Sequence, residues 1–124
     1  MYKFFLVLVS FLFFINTNVQ AEEVSTETKL MLQNLMNQFI EDLSVDGKMI
    51  YIDTKSDKLN SLYFSTAHPM YVPHEGNFFL CTSGVDDNGE EHLVDFYAKE
   101  IEGNFKIVDV SVDSRETTKK ILGM

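Results

Sequence analysis

Cysteine, proline and positively charged residues are scarce in this sequence, and each shortage excludes certain structures, chemistry or partners. One cysteine, Cys81, cannot form an internal disulfide, and no Cys-x-x-Cys pair points to catalytic thiol chemistry. The two prolines, Pro69 and Pro73, lack a backbone N–H and exclude a central strand where they stand. Ten basic residues against 19 acidic ones leave a net charge of −9, so nucleic acid and anionic membrane surfaces are poor partners.

The longest apolar run lies at the N-terminus and predicts a signal peptide. Lys3 precedes a largely apolar run, residues 4–15, which is shorter than the about 20 residues that a membrane-spanning helix needs. Val19 and Ala21 suit the small-residue pattern of a cleavage site, so we expect residues 1–21 to be removed. The mature chain, residues 22–124, is then a single acidic domain, periplasmic or secreted, without a stable membrane anchor.

The mature chain begins with the pattern of an amphipathic helix. Apolar residues recur at three- and four-residue steps from Leu32 to Leu43, with polar residues between them. Ser25 or Thr26 is the expected N-cap, and Asp46-Gly47 is the expected stop.

Several strands follow the helix. Residues rich in β-branched and aromatic side chains predict strands at 48–54, 61–66, 77–83, 92–99 and 105–112, with a loop from Ala67 to Gly76 and a short last helix at 115–122. The predicted fold is α+β, with the N-terminal helix packed on a curved antiparallel sheet of four to five strands and a short C-terminal helix.

Turn lengths predict which side chains share a face of the sheet. A two-residue turn at Asn88-Gly89 pairs Cys81 with Phe96, and a three-residue loop at 102–104 pairs Tyr97 with Asp109. One face is then uniformly apolar and is expected to lie under the helix, with Phe79, Cys81, Val94, Phe96, Ala98, Val108, Val110 and Val112. The other face mixes polar and apolar side chains, with Phe78, Leu80, Thr82, Leu93, Asp95, Tyr97, Phe105, Ile107, Asp109 and Ser111.

The mixed face is the candidate binding surface, and its candidate ligand-binding residues are Thr82, Asp95, Tyr97, Phe105 and Asp109. We predict a small exported, non-catalytic binding module for a protein or a small apolar ligand, with no cofactor. An ordinary half-solvated sheet face is the plain alternative. If the protein is an enzyme, Asp95 and Asp109 on adjacent strands are the candidates for an acid–base pair.

The proline-containing segment holds weaker candidates for a metal site. His68, Met70 and His74 offer imidazole and thioether donors suited to copper, with Cys81 or His92 as a fourth ligand. Their spacing differs from that of closed zinc sites, where paired ligands lie about two to four residues apart. Because the predicted register turns Cys81 into the core, we expect a connecting loop here and no metal.

The last predicted hairpin, VDFYAKEIEGNFKIVDVSVDS, resembles that of the periplasmic toluene-tolerance family of phospholipid shuttles. The family pattern is V-D-Y, a glycine-containing turn and W-K-V-x-D-V, matched here by Val94, Asp95, Phe96, Gly103, Phe105, Lys106, Ile107, Asp109 and Val110. Phe105 stands where the family favours tryptophan, and this chain is shorter. The resemblance implies a cystatin-like or ketosteroid-isomerase-like α+β roll in an exported protein. It also gives the alternative function, a carrier of an apolar ligand or lipid in the envelope.

Overall fold

The computed structural model describes residues 24–65 and 68–124; the predicted signal peptide lies outside these ranges. The described elements are α1 (Thr26–Asp42), β1 (Ser44–Val45), β2 (Lys48–Asp53), β3 (Lys58–Leu62), β4 (Met70–His74), β5 (Asn77–Val85), β6 (Glu91–Ile101), β7 (Asn104–Val112) and α2 (Arg115–Leu122). The predicted α+β class is confirmed, with a helix against antiparallel sheets and a short C-terminal helix. No helix in the two described ranges is long and apolar enough to cross a membrane.

Helix α1 begins where the sequence indicates and ends earlier. Ser25 is the N-cap, and its Oγ accepts the backbone N–H of Thr28 at 3.2 Å. Leu32 and Met36, one turn apart, are the buried residues of the apolar stripe. The helix ends at Asp42, and the Asp46-Gly47 pair, expected to stop it, instead forms the tight turn between β1 and β2.

The seven strands form two antiparallel sheets that meet at one point. The strand orders are β1-β2-β3 and β4-β5-β6-β7. Tyr63, just after β3, exchanges two backbone hydrogen bonds of 2.8 and 2.9 Å with Val85 at the end of β5. Strand β3 therefore adjoins one end of β5, while β4 pairs with the other end. Strand β7 lies at the opposite edge of the four-stranded sheet.

Strand β4 corrects the expectation of a loop in the proline-containing segment. Its residues pair with β5 from Met70 opposite Cys81 to His74 opposite Asn77, and Pro73 lies within it. β4 is an edge strand, and such a strand tolerates a proline whose missing N–H falls on the open side. The prolines exclude a central strand, as predicted, but they do not exclude a strand.

The turn between β5 and β6 is one residue longer than predicted, and this changes the register. The backbone N–H of Asp86 donates to the carbonyl of Glu90 at 2.9 Å, and that of Gly89 donates to Asp86 at 3.1 Å. Gly89 has a φ of 79°, as in a three-residue hairpin loop that closes with a left-handed glycine. Leu80 therefore pairs with Phe96, so the predicted pairing of Cys81 with Phe96 is wrong by one residue.

That single residue exchanges the two faces of β5. Because side chains alternate along a strand, Phe78 and Leu80 lie on the α1 side, while Phe79 and Cys81 lie on the opposite side. The faces predicted for these residues are thus reversed, although Phe79 and Cys81 are buried as expected.

The turn between β6 and β7 also differs from the prediction, but its register is recovered. Glu102 and Gly103, both at positive φ, form a two-residue turn that pairs Ile101 with Asn104. A β-bulge next to Tyr97 then adds one residue to β7, and Tyr97 pairs with Asp109 as predicted.

The hydrophobic core lies between α1 and the inner faces of both sheets. Its buried members are Leu32, Met36, Met49, Leu62, Leu80, Val94, Phe96, Ala98 and Ile107. Phe96 is fully buried, and Phe39 from α1 packs edge-on against it with 5.9 Å between ring centroids. The core fixes α1 on one side of the four-stranded sheet and leaves the other side to α2.

Candidate functional site

The five residues predicted to share a binding face lie on two different faces. Asp95, Tyr97 and Asp109 lie on the side covered by α2. Tyr97 pairs directly with Asp109, and Asp95 lies two residues before Tyr97 on β6, so its side chain points to the same face. Thr82 pairs with Val94 on the α1 side, and Phe105 packs edge-on against Phe78 on that same side. The correction follows from the longer turn before β6 and from the bulge in β7.

Asp95 is engaged in a buried ion pair. Its side chain is 2 % exposed, and Arg115 at the start of α2 approaches it with Nε at 2.9 and 3.0 Å and Nη2 at 2.8 Å. The Thr118 hydroxyl donates a further hydrogen bond of 2.9 Å. This arrangement holds α2 against β6. It also gives the carboxylate the opposite charge and the hydrogen bonds that a buried charged group needs.

Asp109, the second carboxylate of the predicted acid–base pair, has a different environment. It is exposed and accepts the backbone N–H of Val110 at 2.8 Å. Since Asp95 is saturated by Arg115, the two carboxylates serve separate structural contacts in this structure.

Cys81 lies beside Asp95 and is a protected thiol. Burial raises its pKa to about 12, and the neighbouring carboxylate adds to that effect. A thiol with this pKa stays protonated at neutral pH, and the thiolate is the form that attacks electrophiles or binds metals.

The weak metal candidates of the proline-containing segment make separate contacts. His68 Nδ1 lies 2.9 Å from Gln33 Nε2 on α1, and Met70 is exposed. The ring of His74 lies against that of Phe79, with 6.2 Å between centroids. A different cluster brings metal-ligating atoms together: one donor atom each from Asp86, Glu90 and His92, all within 4.8 Å of one another.

A cleft, which we name the edge cleft, separates β2 from the end of β7. Its volume is about 420 Å³, and it is lined by residues 50–55, residues 110–114 and Leu43. Isoleucine and valine side chains and backbone supply its apolar surface, and Asp53, Lys55 and Asp113 supply charge at one end. This size falls within the range of about 300–1,000 Å³ typical of ligand sites.

The walls of the edge cleft are the open edge of β7 and the part of β2 beyond Met49, where the pairing of β2 with β1 ends. The N–H of Ile50 donates to Leu43 on the side away from β3, so the backbone groups of Ile52, two residues on, point the same way. The backbone N–H of Asp113 donates to the carbonyl of Leu93 on β6. Because backbone groups alternate in direction along a strand, the N–H and C=O of Val112 point away from β6. Within the described residues, β2 and β7 do not pair across the cleft.

The charged end of the edge cleft is ordered by hydrogen bonds. Lys55 Nζ donates to the backbone carbonyl of Asp113 at 2.9 Å, which joins the two walls. Asp53 accepts from the backbone N–H of Lys55 at 2.9 Å. Burial raises the pKa of Tyr51, and the nearby Asp53 and Asp113 carboxylates add to this, so its phenol remains a neutral donor.

His92 forms a clasp at the same rim. Its Nδ1 lies 2.6 Å from Asp113 Oδ2 and its Nε2 lies 2.8 Å from Asp86 Oδ2. These two carboxylates raise the pKa of His92, with Asp113 the larger cause, and the His92 hydrogen bond helps to lower the pKa of Asp86. The clasp ties the β5–β6 turn to the β7–α2 junction.

Sequence reasoning missed the edge cleft, Arg115 and the role of His92, because each depends on residues distant in the chain. No family model, curated protein or solved structure matches the chain. The resemblance of residues 94–114 to the toluene-tolerance family therefore remains a prediction.

Proposed function

We propose that the protein is a small exported, non-catalytic binding module, and that its ligand occupies the edge cleft. The single observation that carries this is the pair of strand edges, β2 and β7, that border one cleft without pairing to each other within the described residues. The predicted mixed face is a poorer surface, because its residues lie on two different faces of the sheet. Helix α2 covers the part around Asp95, and Arg115 neutralises that carboxylate.

An extended peptide of a partner protein is the ligand whose chemistry fits two strand edges. Such a peptide adds as a strand, since its N–H and C=O groups meet those that Ile52 and Val112 turn toward the cleft. The apolar residues of both walls would receive alternate side chains of the peptide. The net charge of −9 favours a basic peptide through electrostatic attraction.

Selection from a display library of random peptides tests this proposal. We expect extended, basic sequences to be enriched and the amide hydrogens of Ile52 and Val112 to exchange more slowly in the complex. N-methylation of either alternate set of peptide nitrogens should weaken binding, because one set of N–H groups faces β2 and the intervening set faces β7. Ile52→Ala should weaken binding, and Leu59→Ala, an equally exposed aliphatic residue outside the cleft, is the matched control.

Two outcomes would contradict the edge cleft. One is an enriched peptide that protects amides elsewhere and leaves Ile52 and Val112 unaffected. The other is binding that tolerates N-methylation at every position, since strand addition requires main-chain hydrogen bonds.

A carrier of an apolar ligand is the second candidate, favoured by a separate groove. It lies between α1 and β4, has a volume of about 720 Å³, and includes the exposed side chains of Leu30 and Met70. Organic extraction of the purified protein followed by mass spectrometry tests it: a stoichiometric lipid is expected, and an extract without lipid would remove this candidate.

A further inference from the structure

We propose that Asp86, Glu90 and His92 form a binding site for a divalent transition-metal ion of the zinc type. The three residues bring one ligating atom each within 4.8 Å of the others, and imidazole nitrogen and carboxylate oxygen are zinc ligands. The proposal does not rest on the peptide function, because none of the three ligands lines the edge cleft. Asp113, which orients His92, borders both the cluster and the cleft.

His92 is oriented as a metal-ligating histidine would be. Asp113, from the far end of β7, lies 2.6 Å from Nδ1 and fixes the ring with Nε2 directed at Asp86. A carboxylate behind the imidazole is the usual second layer of a histidine–metal site, where it sets the tautomer and strengthens the ligand. The imidazole of His92, a metal-ligating group, is thus held in place by a carboxylate from outside the β5–β6 turn.

The two carboxylate oxygens of Asp86 have different roles: one orders the turn, and the other would bind the metal ion. Oδ1 accepts the backbone N–H groups of Asn88 and Glu90, each at 2.9 Å. Oδ2 faces His92 Nε2 at 2.8 Å, at the side where a metal ion would bind. The left-handed Gly89 returns the chain so that Glu90 lies beside Asp86, and the exposed Glu90 leaves the solvent side open for water ligands.

The charge of the cluster favours a dication. Three carboxylates, of Asp86, Glu90 and Asp113, surround one imidazole, so the group carries −2 even when His92 is protonated (−3 + 1). Lys55 reaches Asp113 through its backbone carbonyl and reduces this to −1. A divalent ion replacing the Nε2 proton would keep the ring where it is and neutralise the remaining charge.

Calorimetric titration of the metal-stripped protein with Zn²⁺ tests the site. We expect one zinc per chain, with the His92 ring resonances shifted in NMR spectra. His92→Gln and Asp86→Asn should abolish this binding, and Asp113→Asn should weaken it by about 10–100-fold as a second-layer residue. Thermal unfolding of each variant in chelator separates loss of a ligand from loss of the fold.

Two controls match these variants. Glu91→Gln removes one charge next to His92 in the chain, but its side chain points to the opposite face of β6, so affinity should be unchanged. His74→Gln removes the histidine of β4 and should also leave affinity unchanged. Absence of one-to-one binding, binding that survives His92→Gln in a folded variant, or binding lost on His74→Gln would each overturn the site.

Discussion

Removal of the Arg115 guanidinium should expose how much of the stability depends on the buried ion pair. Arg115→Met keeps most of the side-chain volume but leaves the Asp95 carboxylate, 2 % exposed, with Thr118 as its remaining described donor. Breaking a buried pair from one side costs about 3–5 kcal/mol, because the other charge stays buried without compensation. Since Arg115 is itself 24 % exposed, water reaches part of the pair, and we expect about 3 kcal/mol.

This loss is large against the total. Domains of this size unfold with about 5–15 kcal/mol, and each kcal/mol changes the melting temperature by about 4–8 °C, so we expect a decrease of about 12–24 °C. Urea unfolding followed by circular dichroism gives the free energy, with an unchanged slope if the unfolded state is the same. Lys119→Met, on the same helix but in an exposed pair with Glu116, is the matched control and should change stability by less than about 0.5 kcal/mol.

The double variant Asp95→Leu with Arg115→Met separates charge burial from lost packing. When both charges are replaced by apolar side chains, the burial penalty disappears, so the double variant should be more stable than Arg115→Met alone. A loss below about 1 kcal/mol for Arg115→Met, or a double variant less stable than the single one, would refute the reasoning.

Three further predictions concern single residues. With its pKa raised from 9.0 to about 12, native Cys81 carries about a thousandth of the usual thiolate, so alkylation at mildly alkaline pH should require unfolding, and Cys81→Ser should cost about 1–3 kcal/mol; fast labelling of the native protein would contradict this. The raised pKa of His92 means that its stabilisation is present below pH 6.5 and is lost as the pH rises through the folded-state value, so in chelator the stability difference between wild type and His92→Gln should shrink with increasing pH; a difference that grows would contradict it. A Cβ at Gly84 would lie 3.2 Å from the Cβ of the buried Leu62, so Gly84→Val should cost about 1–3 kcal/mol in urea unfolding, whereas an unchanged midpoint would show that β3 can move.

The fold class could be predicted because it depends on periodicity, which neighbouring residues determine. The stripe from Leu32 to Met36 and the alternation of β6 and β7 identified α1 and the main hairpin correctly. The turn before β6 could not be predicted from Asn88-Gly89 alone, because the Asp86 carboxylate accepts two backbone N–H groups and stabilises the longer loop. The longer loop decides the face on which Cys81 lies.

The candidate site was less predictable, because its members come together only through the tertiary fold. Nothing in the strand pattern of residues 91–101 indicates that Asp95 is neutralised by Arg115, which is the first residue of a helix 20 positions later. The edge cleft is likewise a property of two strands more than 50 residues apart, and its walls are backbone edges rather than a pattern of side chains.

Asp113, at the rim of the edge cleft, contacts several elements at once, so its role does not follow from its own place in the sequence. Its φ of 54° lies in the left-handed region, which costs an L-residue about 1–2 kcal/mol. In return its N–H bonds the carbonyl of Leu93, its carboxylate bonds His92, and its own carbonyl accepts Lys55. Its Oδ1 also accepts the backbone N–H of Leu93 at 3.2 Å. Asp113 therefore makes four polar contacts, which is more than a simple strand end requires. The strain is offset because this one residue joins β6, the histidine clasp and the wall of the edge cleft, so a change at Asp113 should affect all three together.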